Sequence, residues 1–307
     1  MKQTLSTRPF GRTRRRSVIG LVLSGAALLA ACGGDDNSSE SAGADTSAVE
    51  QEAQRIVSLS PTHTEILYAI GAGEQVVAVD SMSNFPADAA ITDLSAYEPN
   101  VEAIAEFDPD LVVIGDDFTG LADQLAAIGV DSWVSPAPAT LDEAYAQIAD
   151  LGAVVGRSEA ATELADSMKA DIDEIIAGAV QIPEGTSYFL ELDDTLYSVT
   201  SNTFVGSIFE RFGLRNIADA TEGDTDYPQL SAEFIVSQDP TLVFLADTKC
   251  CGASAESVAA RPGWDVLSAV VNGRVFELDD DVASRWGPRL VDFVAAIADA
   301  LTTTGSD

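Results

Sequence analysis

This 307-residue sequence predicts an α/β fold of two similar halves joined by one long helix, and three observations predict it. Short β-rich runs alternate with helical patterns, which implies parallel or mixed sheets with helices on their faces. The alternation breaks once, near the middle, for a single long amphipathic stretch. The segments on either side of that break also echo one another. Glu102 precedes Pro109-Asp110-Leu111-Val112-Val113 by seven residues, and Glu233 precedes Pro240-Thr241-Leu242-Val243-Phe244 by the same seven. In each case a short helix stops ahead of a proline, which disfavours helical backbone in the residue before it, and an apolar strand follows.

In chain order, the first strand is expected at residues 55–59 (RIVSL), followed by the polar turn and helix start of SPTHTEIL, residues 60–67. That turn carries the chain's single histidine, His63. It sits where a helix N-terminus offers free N–H groups and the positive end of its dipole. A helical pattern runs over 63–70. Strands follow at 75–79, 111–114 and 131–134, with helices at 101–107 and 121–128 between them. From 158 to 180, apolar residues such as Ala161, Ala165, Met168 and Ile172 recur at spacings of three and four, forming one stripe along a helix. Pro183 and Gly185 end it. Strands are then expected at 187–190, 196–199, 242–245 and 274–278, and helices at 204–212 and 288–301.

The N-terminus has a different character. Residues 1–31 hold six of the 16 basic residues and no acid, and end in an apolar run, which is the pattern of a signal peptide. Its end, LLAACGG, resembles a bacterial lipoprotein processing site with Cys32 as the lipidated first residue. Arg14-Arg15-Arg16-Ser17-Val18-Ile19 resembles a twin-arginine export signal, so the export route, general secretory or twin-arginine, stays open. Residues 32–54 are acidic, small and Ser-rich, and too polar to bury a core, so a disordered tether is expected. Beyond residue 31, ten basic residues face 50 acidic ones, a net charge of about −40. Such a surface repels nucleic acid and anionic headgroups. Cys250 and Cys251 are adjacent, and in an exported chain they form either a vicinal disulfide or a local loop constraint. With one histidine and no separated cysteine pairs, no direct metal site and no resident cofactor are expected.

Several motifs in order resemble the substrate-binding proteins of ABC importers, in the helical-backbone class that serves ferric siderophores, vitamin B12 and haem. They are RIVSLSPTHTEILYAIGAGEQVVAVD, SNFPADA, NVEAIAEFDPDLVV, FVGSIFERFGLRNIADA, YPQLSAEFIVSQDPTLVF, RPGWDVLSAVVNGRVFEL and SRWGPRLVDFVAAIADAL. The resemblance covers the chain from Arg55 onward. It implies two Rossmann-like lobes joined by a single long backbone helix, with a ligand cleft between them and small hinge motion. The chain accordingly divides into a signal peptide (1–31), a tether (32–54), a first α/β lobe (55–156), a connecting helix (157–182) and a second α/β lobe (183–307). The implied protein is an exported, monomeric lipoprotein on the outer face of the cytoplasmic membrane. It captures a metal chelate and delivers it to permease subunits.

The resemblance also nominates residues. Glu102 and Glu233 match the lobe-tip glutamates that dock onto permease arginines. Ligand contacts are expected from His63, Tyr97, Asp116, Phe118, Ser201, Asn202, Tyr227, Asp281 and Arg285, with Asp117, Phe204 and Arg289 as further cleft candidates. Whether His63 touches ligand or caps its helix stays open. Asp281 and Arg285 fall where B12-binding relatives touch the corrinoid, and Tyr227 stands where those carry a tryptophan. Ala96 and Gly115, however, replace the expected stacking tryptophans. Arginines beside aromatics suit an oxyanion-bearing iron chelate, so a ferric siderophore leads, with cobalamin second and haem third. The competing class is a hydrolase using paired carboxylates at Asp193-Asp194 or Asp279-Asp280-Asp281. No nucleophile elbow, phosphate loop or HExxH motif accompanies those runs, so the chain is expected not to be an enzyme.

Overall fold

Four strands, Ile56–Leu59, Leu111–Ile114, Ser187–Glu191 and Leu242–Leu245, are buried along their whole length. Unbroken burial is the mark of parallel strands covered on both faces by helices. The structure, a computed structural model, describes residues 54–304. The expected signal peptide, Cys32 and all but the last residue of the expected tether lie outside the described residues. Among the described residues no helix is long and apolar enough to cross a membrane.

The first lobe contains β1 (Ile56–Leu59), α1 (Pro61–Ala69), β2 (Val76–Val79), α2 (Val101–Ala105), β3 (Leu111–Ile114), α3 (Leu121–Ala127), β4 (Asp131–Val134) and α4 (Leu141–Val154). Then comes α5 (Ser158–Gly178). The second lobe contains β5 (Ser187–Glu191), α6 (Phe204–Arg211), β6 (Arg215–Asn216), α7 (Ala232–Gln238), β7 (Leu242–Leu245), α8 (Ala255–Ala259), α9 (Ser268–Val271), β8 (Val275–Glu277), α10 (Asp280–Ala283) and α11 (Leu290–Thr302). The two sheets have orders β2-β1-β3-β4 and β6-β5-β7-β8. Every strand pair in them is parallel, with Ile56 opposite Leu111 in one and Tyr188 opposite Leu242 in the other.

The internal echo is structural as well. Asn100 caps α2 through the Ala103 N–H, and Ser231 caps α7 through the Phe234 N–H. After each helix an aspartate adopts a positive φ, Asp108 at 48° and Asp239 at 43°, and a proline and a central strand follow. The left-handed region is tolerated by aspartate better than by most residues, and it turns the chain sharply from helix into strand.

α5 is 21 residues long and buries Ala161, Ala165, Met168 and Ile172. At 1.5 Å per residue it spans roughly 30 Å. It packs against α4 and α11, and one hydrophobic cluster runs unbroken from Ile56 and Val113 of the first lobe through these helices to Tyr188 and Phe244 of the second. A continuous core of this kind resists bending because each packed side chain would have to leave its neighbours.

One expectation needs correcting, and the helix α4 is additional to those expected. Residues 196–199 do not form a strand of the sheet. The chain folds back at Asp193, with Leu196 at φ 67°, and Tyr197 makes only an isolated antiparallel bridge to Gln229. Ser198 and Val199 are buried beside that turn, and the two-residue β6 takes the place beside β5. The α4 helix was not anticipated at all.

Candidate functional site

In an open parallel sheet, ligands collect outside the C-terminal strand ends where the strand order reverses. In the first lobe that point lies between β1 and β3. A cavity of about 310 Å³ opens there. Ser60 enters it from the end of β1, Asp80 from the end of β2, and Gly115 and Asp116 from the end of β3. Tyr97 and Phe118 stand on its rim, 80% and 87% exposed. Asp281, Ser284, Arg285 and Trp286 close it from the C-terminal segment. Five of the expected ligand contacts, Tyr97, Asp116, Phe118, Asp281 and Arg285, thus meet in one cavity.

His63, whose contact with ligand the sequence left open, is not among the residues that line this cavity. Its ring is fully buried, edge-on to Trp133 at 5.0 Å and to Trp286 at 5.9 Å. Nδ1 shares a 2.8 Å hydrogen bond with Ser60 Oγ. Nε2 faces Gln147 without a well-formed hydrogen bond. Burial lowers its pKa to about 3, so the ring is neutral at physiological pH. It holds Ser60 in place from behind and offers no proton to the cleft.

Ser201, half-buried, and Asn202, exposed, do not line that cavity and are hydrogen-bonded within the second lobe. The Ser201 hydroxyl donates to Asp219 Oδ2 at 2.7 Å, and Asn202 Nδ2 donates to Asp226 Oδ1 at 3.2 Å. Asp117 accepts from the Leu121 and Ala122 N–H groups and caps α3. Tyr227 and Phe204 line a neighbouring cavity of about 80 Å³, which shares Ser284, Arg285 and Trp286 with the larger one. Burial first, then the carboxylates of Asp226 and Asp116, push the Tyr227 phenol up from its ordinary pKa. Asp116 of the first lobe therefore lies within electrostatic reach of the second.

The two expected cationic groups, Arg285 and Arg289, are both ion-paired within the protein. Glu65, fully buried on α1, accepts from Arg285 Nη1 at 2.8 Å and from Arg289 Nη2 at 2.6 Å and Nε at 3.0 Å. Arg285 also donates to Asn84 Oδ1, Met82 O and Asp281 Oδ1. Arg289 stacks over Phe85 at 4.4 Å. Lys249 Nζ donates to Asp279 at 2.6 Å and to Asp281 at 2.9 Å. Burial by itself would raise the Asp281 carboxyl, but the bonds from Lys249 and Asn84 and the charges of Arg285 and Lys249 together outweigh it and hold the carboxyl below its usual range. The network ties α1 and residues 82–85 to residues 249 and 279–289. Breaking a buried ion pair leaves a charge without its partner, at a cost of about 3–5 kcal/mol.

Sequence reasoning missed Asp80. It is 1% exposed, it lines the cavity, and its Oδ1 has no donor within reach. Burial raises its pKa, opposed by bonds from Ser83 and Met82 and by the nearby Arg285 charge. A legible signal existed: Asp80 is the first residue after a strand, as Ser60 is.

At the corresponding point of the second lobe, between β5 and β7, the space is filled. Arg261 makes a two-pronged ion pair with buried Glu191, at 2.6 and 2.5 Å, and stacks over Trp264 at 4.7 Å. Buried Asp247 sits against this pair with both carboxyl oxygens unpartnered, and burial with Glu191 raises its pKa to about 7. The following loop joins Cys250 to Cys251 in a vicinal disulfide, one of the two arrangements expected for this pair. Among the described residues no group of three or more His, Cys, Asp or Glu converges to hold a metal ion.

Comparison with known proteins places this architecture. The sequence profile of the periplasmic binding proteins matches residues 56–282. The chain is 30% identical to an uncharacterized ABC transporter substrate-binding lipoprotein of Bacillus subtilis, over 82% of this chain and 81% of that one. It is also 30% identical to a cobalamin-binding protein of Halobacterium salinarum, over 83% of this chain and 71% of that one. Among solved structures, a possible iron-binding, periplasmic solute-binding protein of Staphylococcus epidermidis superposes with a TM-score of 0.69 at 27% identity, covering 80% of this chain and 98% of that one.

Proposed function

The chain belongs to the periplasmic binding protein family, and from that premise we propose that it captures a metal chelate in the cavity between Tyr97, Phe118 and Trp286 and hands it to an ABC permease. It is a substrate-binding protein of an ABC transporter and not an enzyme, as its family and relatives are binding proteins. The observation that carries the ligand reading is the cavity itself. It lies at the reversal point of the first sheet and is flanked by two aromatic rings left in water. Exposed aromatics beside a concave wall favour a ligand with broad apolar faces. A ferric siderophore is the leading ligand, supported by the structural likeness to the possible iron-binding protein of Staphylococcus epidermidis. Cobalamin is the second reading, favoured by the Halobacterium salinarum relative.

Delivery rests on Glu102 and Glu233. Both are exposed and occupy the second position of α2 and of α7, one in each lobe. Two carboxylates on two packed lobes fix register on a two-fold partner more than they add affinity. Anchoring rests on Cys32, with the lipid holding the chain at the outer face of the cytoplasmic membrane.

Tryptophan fluorescence tests the binding reading, because Trp286 lines the cavity whereas Trp264 is buried in the second lobe. Titration of the full chain with ferric hydroxamate, ferric catecholate, cyanocobalamin and haemin should give saturable, submicromolar quenching by at least one, much reduced in Trp286→Phe. Absence of saturable quenching by all four would overturn the chelate assignment.

A further inference from the structure

The charged groups on the cavity wall are unequal. Three are carboxylates, Asp80, Asp116 and Asp281, and one is a cation, Arg285. The four N–H bonds of the two Arg285 Nη atoms already go to Glu65, Asn84, Met82 and Asp281. A guanidinium whose terminal donors are filled by the protein has none of these to turn toward an incoming oxyanion. Asp281 is similarly saturated, by Arg285 on Oδ1 and by Lys249 and Asn84 on Oδ2. Asp80 is different. It is buried, it lines the cavity, and its Oδ1 accepts from nothing in the protein. Buried acceptors are nearly always satisfied, so an orphan at a cavity wall is an acceptor held ready for a donor brought by the ligand. Asp116 adds a second, exposed carboxylate on the same wall, facing the Tyr227 side of the cleft.

We propose that Asp80 is the ligand's anchoring acceptor, and that the cleft selects an uncharged or cationic chelate presenting an N–H donor over an anionic one. This rests on the chelate-binding reading and narrows it. The expectation that cleft arginines receive a catecholate or carboxylate loses its support, because the Arg285 Nη donors are filled by Glu65, Asn84, Met82 and Asp281, and Arg289, paired with Glu65, does not line the cavity. A hydroxamate chelate with an ammonium group and a corrinoid with amide arms share the required chemistry. Catecholate chelates and haem, whose charge is negative, would meet Asp80 and Asp116 with repulsion and without a free counter-charge. The acidity of the whole chain adds to that bias at long range.

The test titrates the full chain with four probes of different charge: cationic ferrioxamine B, neutral cyanocobalamin, anionic ferric enterobactin and anionic haemin. Ferrioxamine B or cyanocobalamin should bind most tightly. Asp80→Asn should weaken that probe by about tenfold or more, the loss expected when a hydrogen bond to a charged acceptor is removed. The melting temperature of the unliganded variant should not fall, because the substitution removes a buried charge. Added salt separates the two sources: it should weaken ferrioxamine B binding and leave cyanocobalamin nearly unchanged. If enterobactin or haemin bound as tightly as the best uncharged or cationic probe, the charge selection would be wrong while chelate binding stood. If Asp80→Asn bound the preferred probe as well as the parent, Asp80 would not be the anchor. Failure of all four probes would overturn both this inference and the reading beneath it.

Discussion

Asp247 retains a proton that an exposed aspartate would lose. Burial and the neighbouring Glu191 raise its pKa from 3.8 to about 7, with Arg261 and Asp280 the other charges that act on it. The unfolded chain releases this proton near pH 3.8. The site's contribution to stability is therefore complete below that value and is lost as pH rises through 7. Asp247→Asn should raise the melting temperature clearly at pH 8 and hardly at all near pH 4, as followed by differential scanning calorimetry; equal shifts at both pH values would refute this account. His63 works in the opposite sense. Its folded pKa of about 3 lies below the ordinary 6.5, so its contribution is lost as pH falls from 6.5 toward 3. The lone histidine was conspicuous in the sequence, but its silence was not legible there. That silence depends on Trp133 and Trp286, which reach its ring from β4 and from the segment before α11.

Helices and strands were mostly readable, because each depends on a local period. The strands at Leu111–Ile114 and Leu242–Leu245 stand where their apolar runs placed them, and the strand at Asp131–Val134 stands where it was expected. The connecting helix ends at Gly178, slightly short of the expected 180. The unanticipated α4 carried a signal of its own: Thr140 caps it through the Glu143 N–H, and Glu143 accepts from the Ala139 N–H. That Thr-x-x-Glu spacing is a helix-start pattern. What no local pattern reveals is how closely α4 approaches α5. A Cβ added at Gly152 would run into the Ala161 side chain and crowd the Arg157 carbonyl. Gly152→Ala is therefore expected to destabilise the chain by about 1–3 kcal/mol despite alanine's better helix propensity. Urea denaturation gives the value, and a stabilised variant would show that the two helices have room to separate.

The whole molecule consists of two lobes of identical sheet order held by one continuous core, each presenting a glutamate at the same local position. Glu102→Arg combined with Glu233→Arg should leave chelate affinity intact and abolish uptake by cells that depend on this chain. Uptake at the parental rate would make both glutamates ordinary surface residues. The lobes differ where their sheets reverse order. In the first that point is open to ligand, and in the second it is packed with Glu191, Asp247 and Arg261. Sequence alone determined the α/β alternation, the paired halves, the long connector and the two glutamates. Apolar periodicity, prolines and capping residues act over a few neighbouring positions and leave their trace in the order of residues. Tertiary structure alone decided that His63 is mute, that Arg285 and Arg289 pair with Glu65, and that Asp80 Oδ1 lacks a partner. Burial and charge pairing join α1 to residues far along the chain, and whether a charged side chain is free or spent depends on those partners and not on its sequence neighbours.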